Sequence, residues 1–229
     1  MAASRILKGI AAFVAIVGML LALPLLLPTE HSPRDAAPDH GLPWQIKLLS
    51  DGGSRVLGLQ PSRSTLGEAR RLFGPEVQVA LIVAPGETGS LEAYYETLSA
   101  GFVTGKMILT LETTLAQREQ MLQRARKAEY MESTTRRIEL AEADLLAADN
   151  AVIGAIAFIP TAALDEQIVL QRFGAPAERI RSSEHAEHFL YPEKGLDLRL
   201  DAKGKEVLQY VAPREFARLR DPLLAAGKP

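Results

Sequence analysis

The alternation of apolar and polar positions after Pro43 predicts an opening hairpin. Residues 44–48 alternate with period two, which indicates a half-buried strand. A turn cluster follows at residues 50–54, and residues 55–60 predict the second strand of the hairpin. Pro61 ends this strand because proline cannot donate to a strand ladder.

A capped helix is predicted directly after this hairpin. Apolar side chains recur at helical spacing between Thr65 and Phe73. Ser62 or Ser64 can cap the helix, since a hydroxyl oxygen accepts from the free amide groups of the first turn. Gly74-Pro75 ends it.

The same series of signals returns about one hundred residues later. An apolar strand over residues 155–159 ends at Pro160, and Thr161 is the candidate cap of a helix that runs to Phe173. Gly174-Ala175-Pro176 then stops this helix. Because strand, proline, capped helix, Phe-Gly and proline recur in one order, we interpret the two series as a duplicated unit.

Strands follow each helix, and a charged helix connects the two units. The predicted strands are 77–84, 91–98 and 102–111 in the first unit and 178–181, 188–191, 196–201 and 206–211 in the second. The connecting segment predicts a helix over 114–132, a strand over 135–141 and a helix over 143–150, and a last helix starts at Pro213. This pattern predicts an α+β fold in which two related units each combine helix and antiparallel sheet.

An uncharged segment near the N-terminus, Gly9 to Leu27, predicts a transmembrane helix. Its 19 residues span roughly 28 Å as a helix, close to the thickness of a hydrocarbon core. Arg5 and Lys8 precede it, and mostly acidic residues follow. The positive-inside rule therefore predicts an inner-membrane anchor with a cytoplasmic N-terminus and a periplasmic or otherwise extracytoplasmic bulk.

A cleaved signal peptide is the alternative interpretation of this segment. The apolar run is longer than the usual apolar core of such peptides, and the nearest pair of small residues, Ala36-Ala37, follows two charged residues. Both features favour an uncleaved anchor. The predicted organisation is a cytoplasmic tip and anchor (1–28), a proline-rich linker (29–43), a first α+β unit (44–141) and a second α+β unit (142–229).

The two Phe-Gly segments resemble a known family. Residues Leu66 to Pro75 and Leu164 to Pro176, together with the Gly204-Lys205 turn, are similar to the SmpA/OmlA repeat of outer-membrane-assembly lipoproteins, whose relatives include tandem modules of the β-lactamase-inhibitor type. The resemblance implies a non-catalytic binding module of the cell envelope. The chain departs from that family because it has no cysteine to carry a lipid.

Composition and charge exclude several classes of function. Lys and Arg number 26 against 28 Asp and Glu, so the net charge is −2. A net-acidic chain is a poor match for a phosphate backbone, and we expect no nucleic-acid partner. The absence of cysteine excludes disulfides, thiolate metal sites and thiol nucleophiles.

One segment carries residues that suit a metal or an acid–base role. His185, Glu187 and His188 lie within four positions, and on a helix the two histidines would share a face and could bind zinc with a carboxylate. On a strand, positions three apart face opposite sides. The flanking Phe189-Leu190-Tyr191 favours a loop that enters a strand, so we predict no catalytic, cofactor or metal site here.

These observations favour a single-pass, membrane-anchored scaffold or binding protein that lacks a cofactor. The predicted partners are membrane lipid, through the N-terminal helix, and an envelope protein. Two alternatives stay open. One is a membrane-anchored hydrolase or metal-dependent enzyme that uses the 185–188 segment. The other is a carrier of lipid or another apolar ligand held between sheet and helices. Four tyrosines lie in predicted strands: Tyr94, Tyr95, Tyr191 and Tyr210. They can line a groove, but aromatic residues in strands more often pack in the core or across strands, so we expect packing roles.

Overall fold

The computed structural model describes residues 41–131 and 134–226, which lie within one compact unit, Asp39–Pro229. The predicted anchor, Gly9 to Leu27, lies outside the described residues, as does the linker up to residue 40. Within the described ranges, no helix combines the length and the apolar character needed to cross a membrane.

The described residues form twelve strands, five α-helices and two 3₁₀ turns, at Pro192–Lys194 and Pro213–Glu215. The strands are β1 Lys47–Leu48, β2 Ser54–Arg55, β3 Gln78–Val83, β4 Ser90–Ala100, β5 Val103–Leu111, β6 Lys127–Tyr130, β7 Arg136–Glu139, β8 Ile153–Pro160, β9 Glu178–Arg181, β10 Ala186–Tyr191, β11 Leu196–Asp201 and β12 Val207–Tyr210. The helices are α1 Leu66–Phe73, α2 Leu115–Gln123, α3 Glu142–Ala148, α4 Glu166–Phe173 and α5 Ala217–Ala226.

Ten strands form one antiparallel sheet in the order β6-β7-β3-β4-β5-β8-β12-β11-β10-β9, and β1 and β2 form a separate hairpin. The predicted α+β class with antiparallel strands is therefore confirmed. Strands from both predicted units belong to this sheet, and the β5–β8 pair joins them at its centre. The boundary between the units at residues 141 and 142 stays a prediction.

The two faces of the sheet have different environments. We call the side that bears Ala93, Leu109 and Ile156 the helix face, and the opposite side, which bears Tyr94 and Ile108, the outer face; alternation along each strand separates the two sets. The helix face is buried in one continuous core. Helices α1 to α4 contribute to that core through Leu66, Ala69, Met121, Ala148, Val169 and Phe173.

Helices α1 and α4 end in the same way. Gly74 has φ 93° and Gly174 has φ 82°, values that favour glycine, and each amide closes the last turn on the carbonyl four residues earlier. The hydroxyl of Tyr95 donates to Gly74 O at 3.4 Å, and that of Tyr191 donates to Gly174 O at 2.9 Å. Each tyrosine therefore ties a helix end to the sheet.

The aromatic packing at these helix ends is also matched. The rings of Phe73 and Tyr95 are 5.8 Å apart, and those of Phe173 and Tyr191 are 6.1 Å apart. Burial raises the pKa of Tyr95 and of Tyr191 to about 12, so both hydroxyls keep their protons and remain donors at neutral pH. Tyr95, Tyr191 and Tyr210 lie in the core, whereas Tyr94 lies on the outer face.

Several predicted features differ from the structure, among them the cap of α1, which is Thr65 rather than Ser62 or Ser64. The charged helix predicted over 114–132 ends at Gln123. Residues 127–130 instead pair with β7 as an edge strand, and the amide of Arg126 donates to Glu139 O. The segment Lys127-Ala128-Glu129-Tyr130 alternates polar and apolar residues with period two, which predicts a strand. The helix prediction missed this signal because apolar residues also recur at helical spacing over the longer range 114–132.

The second helix and the first hairpin are shorter than predicted. The amide of Thr161 donates to Thr104 O, which prolongs the sheet, so α4 begins only at Glu166 with Asp165 as its cap. The opening hairpin is present but reduced to Lys47–Leu48 and Ser54–Arg55. Prolines and tight turns around it leave few residues free to pair.

We expect Tyr191→Phe to lower the free energy of unfolding by about 1 kcal/mol, because it removes one buried hydrogen bond and no packing volume. Tyr95→Phe should cost less, since its hydrogen bond is longer. Denaturant unfolding of the two variants checks this, with Tyr130→Phe on the exposed edge strand as the control. Equal values for all three variants would contradict the role of the helix-end ties.

Candidate functional site

The segment 184–188 enters β10, so its side chains alternate between the two faces of the sheet. Glu184 and His185 lie in the β9–β10 turn, and Glu187 lies on the helix face beside Arg179. His185 and Glu187 line one cavity of about 320 Å³ at this end of the sheet. His188 lies on the outer face, so the structure does not bring the three candidate residues together.

His188 is part of a different pair that the sequence did not reveal. Its Nδ1–H donates to the carboxylate of Asp197, and both carboxylate oxygens lie 2.9 Å from Nδ1. His188 is 7% exposed and Asp197 2% exposed. The pair lies on the outer face, on the neighbouring strands β10 and β11, and it has the burial of a structural element.

Asp197 corrects an expectation from the sequence. The alternation of leucine with Asp197, Arg199 and Asp201 predicts a strand with one solvated face. Asp197 is instead buried, whereas Arg199 and Asp201 on the same side of the strand are half-buried. The carboxylate of Asp197 is retained there because His188 satisfies it.

Glu187 is held by Arg179, which limits its chemistry. Arg179 forms ion pairs at 2.8 Å with Glu187 and with Glu166 of α4, and its guanidinium stacks 4.3 Å from the centre of the Phe189 ring. The hydrogen bond from Arg179 lowers the pKa of Glu187, so this carboxylate stays ionised and is a poor general acid. In the described ranges, no three or more His, Cys, Asp or Glu side chains are grouped to hold a metal ion.

The outer face carries a second candidate site. We call it the outer groove: an open depression of about 400 Å³ whose floor is mostly apolar (Ala80, Ile82, Tyr94 and Ile108) and includes Glu92. Met131 and Arg137 contribute to its walls at the β6–β7 edge. Exposed apolar floors of this kind are typical of recognition surfaces.

Polar residues at the border of the outer groove are already paired. Lys106 Nζ lies 2.7 Å from Glu96 and 5.8 Å from the centre of the Tyr94 ring. Arg137 donates to Gln78 at 2.8 Å. Partial burial raises the pKa of Tyr94, so its hydroxyl stays protonated. The paired border leaves the apolar floor as the feature that a partner would contact.

The outer groove continues into a surface that the chain itself covers. Cross-strand register places the following residues in one row across the outer face: Gln78, Tyr94, Ile108, Ala157, Gln209, Asp197, Leu190 and Glu178. At the far end of this row, Leu190 packs in a small core with Val211 and Phe216, and Leu219 and Leu223 of α5 join that core. Part of the outer face on the later strands is thus covered by α5.

A third cavity, of about 340 Å³, lies between α2, α3 and the nearby strand ends. Apolar residues such as Leu91 and Met121 share its lining with Glu112, Thr113, Gln117 and Asn150. The hypothesis of an apolar-ligand carrier requires a predominantly apolar pocket, and this mixed lining gives that hypothesis no particular support.

Comparisons with known proteins add no relative. No family model matches the chain, and neither the curated proteins nor the solved structures contain a match. The candidate sites are therefore assessed from their geometry alone.

We expect Asp197→Ala to lower the free energy of unfolding by about 2–3 kcal/mol, because it leaves the buried His188 nitrogen without its acceptor. Glu129→Ala, which removes an exposed partner of Lys127, is the control and should change stability little. Denaturant unfolding measures both. An Asp197→Ala variant as stable as the control would show that the pair is not structural.

Proposed function

We propose that this protein is a single-pass, membrane-anchored binding protein of the cell envelope, that its folded part lies outside the cytoplasm, and that it acts without catalysis. The observation that carries the binding role is the outer groove, an apolar surface on a sheet whose other surfaces are largely covered. The absence of convergence among His185, Glu187 and His188 removes the motivation for the hydrolase or metal-enzyme alternative.

The anchor rests on the sequence. The segment Gly9 to Leu27 has the length and composition of a membrane span, and Arg5 and Lys8 favour retention of its N-terminal end in the cytoplasm. Residues 41–43 belong to the folded part, where Tyr210 donates to Pro43 O. Residues 29–40 include two prolines and, at about 3.1 Å per residue, reach up to roughly 37 Å. Such a tether allows the folded part to meet a partner away from the lipid surface.

We propose that the occupant of the outer groove is an amphipathic helix of a partner protein. The support is continuity with α5 and the residue before it, which cover another part of the same face by placing Phe216, Leu219 and Leu223 against it. These apolar residues recur at three- and four-residue spacing, the stripe that a helix presents to a groove. A partner helix with an apolar stripe would extend this layer over Tyr94 and Ile108.

We also propose that the two halves of the fold derive from one duplicated unit, as the SmpA/OmlA-like resemblance implies. Each half has a capped helix that ends in Phe-Gly, followed by a meander of strands. In each half a tyrosine from the meander donates to the carbonyl of that glycine. These matched positions, Phe73 with Tyr95 and Phe173 with Tyr191, support a common origin.

The groove is tested by recovery of the partner from membranes that contain the full chain. We expect Met131→Asp to reduce stoichiometric recovery at least tenfold, because a carboxylate at the groove wall would have to be desolvated against an apolar helix. Met131 is 50% exposed and lies outside the strands, so the substitution should leave folding intact. Leu146→Asp on α3, where the side chain is 69% exposed, is the matched control.

Two results would contradict the proposal. Equal recovery with Met131→Asp and Leu146→Asp would exclude the outer groove as the binding surface. Release of the chain from membranes by alkaline carbonate, with mass spectrometry showing that residues 1–28 are removed, would exclude the anchor.

A further inference from the structure

A cavity at one end of the sheet has the composition of a site for an organic cation. We call it the end cavity. It has a volume of about 320 Å³ and lies between the β9–β10 turn, the β11–β12 turn and the segment before α4. Leu164 and Leu200 supply apolar wall, and Glu184, His185 and Glu206 supply polar groups. The turns are held together by the amide of Ala202, which donates to His185 O at 2.9 Å.

Glu206 is the unusual member of the end cavity. It is 7% exposed, yet within the described residues its carboxylate has neither a hydrogen-bond donor nor an ion-pair partner. In the described part of the chain, the fully buried side-chain atoms without a partner are Ser54 Oγ, Arg118 Nε and Arg199 Nε. The oxygens of Glu206 are not in this group, so they are not fully enclosed. The carboxylate therefore reaches open space at the cavity.

A carboxylate that is mostly buried and has no protein partner is unusual. Such groups are normally found with a counter-ion or donors. A carboxylate that lines a cavity and has no protein partner is thus placed to receive a donor from a ligand.

The charge balance of the cavity favours a cation. Glu187 is matched by Arg179, and Asp201 by Arg199. Among the charged side chains that line the cavity, two acidic residues, Glu184 and Glu206, and one basic residue, Arg181, are then left to be counted. This leaves an excess of one negative charge, with His185 counted as neutral.

We propose that the end cavity binds a protonated primary amine, with Glu206 as its counter-ion and Leu164 and Leu200 in contact with the carbon chain. The grouping of side chains needed for a metal ion is missing from the described part of the protein, whereas one ammonium group requires only a carboxylate and nearby acceptors. The amine belongs either to a free small molecule or to a lysine side chain of a partner protein.

Calorimetric titration of the purified full chain in detergent tests the site. The probes are n-butylamine hydrochloride, n-butanol as the uncharged analogue of the same length, and the capped peptide acetyl-Gly-Lys-Gly-amide. We expect saturable binding of butylamine and none of butanol. Tighter binding of the peptide than of butylamine would assign the amine to a protein lysine, and the reverse order would assign it to a free small molecule.

Glu206→Gln should weaken butylamine binding at least tenfold, and Glu119→Gln on α2, an exposed carboxylate outside the cavity, should not change it. Glu206→Gln should also leave the midpoint of thermal unfolding without ligand unchanged, because the carboxylate has no protein partner to lose. A Glu206 with a purely structural role would give a lower midpoint in this variant. Absence of butylamine binding to the wild-type chain, or unchanged binding by Glu206→Gln, would overturn the proposal.

Discussion

An antiparallel sheet of ten strands has two faces, and each apolar face must be covered by something. Here the helix face is buried under α1 to α4 and the segment that precedes α1. Among the described residues, the helix that packs on the outer face is α5, which covers part of the surface formed by the later strands. The remaining part keeps Tyr94 and Ile108 beside open space. Because burial of apolar area is the main favourable term in association, this imbalance is the basis of the proposed binding role.

Specific hydrogen bonds, as well as apolar burial, stabilise the helix face. The two Phe-Gly helix ends are held by tyrosine hydroxyls from the strands, and Tyr210 donates to Pro43 O at 2.9 Å, which fixes the incoming chain over the centre of the sheet. A rigid helix face stabilises the strands whose other side forms the outer groove. The groove is therefore preorganised, which reduces the ordering cost of binding.

Two features of the described residues carry the binding proposals. One is the mostly apolar floor of the outer groove, and the other is the carboxylate of Glu206, which has no protein partner in the end cavity. The two sites differ in chemistry: the groove suits an apolar helix, and the cavity suits a protonated amine.

Much of the fold could be predicted from the sequence, because alternation and helix-end signals act locally. Pro160, Gly174 and the leucines of β11 identified elements near their observed places. The sequence could not show that Asp197 is buried or that Glu206 lacks a partner, since both depend on which element covers which strand. The order of strands and the coverage by α5 are long-range properties, and neither has a local signal. The two sites therefore emerge only from the tertiary arrangement.

Above all, we propose that a partner covers the outer groove outside the cytoplasm. The chain has no cysteine, so the single substitutions Met131→Cys and Leu146→Cys each introduce one site for labelling by a membrane-impermeant maleimide. Labelling is done on cells whose outer permeability barrier has been opened while the inner membrane stays intact. The account predicts rapid labelling at position 146, protection at 131, and equal labelling of both after detergent extraction dissociates the partner. Equal labelling at both positions before extraction, or no labelling at 146 until the cells are lysed, would contradict it.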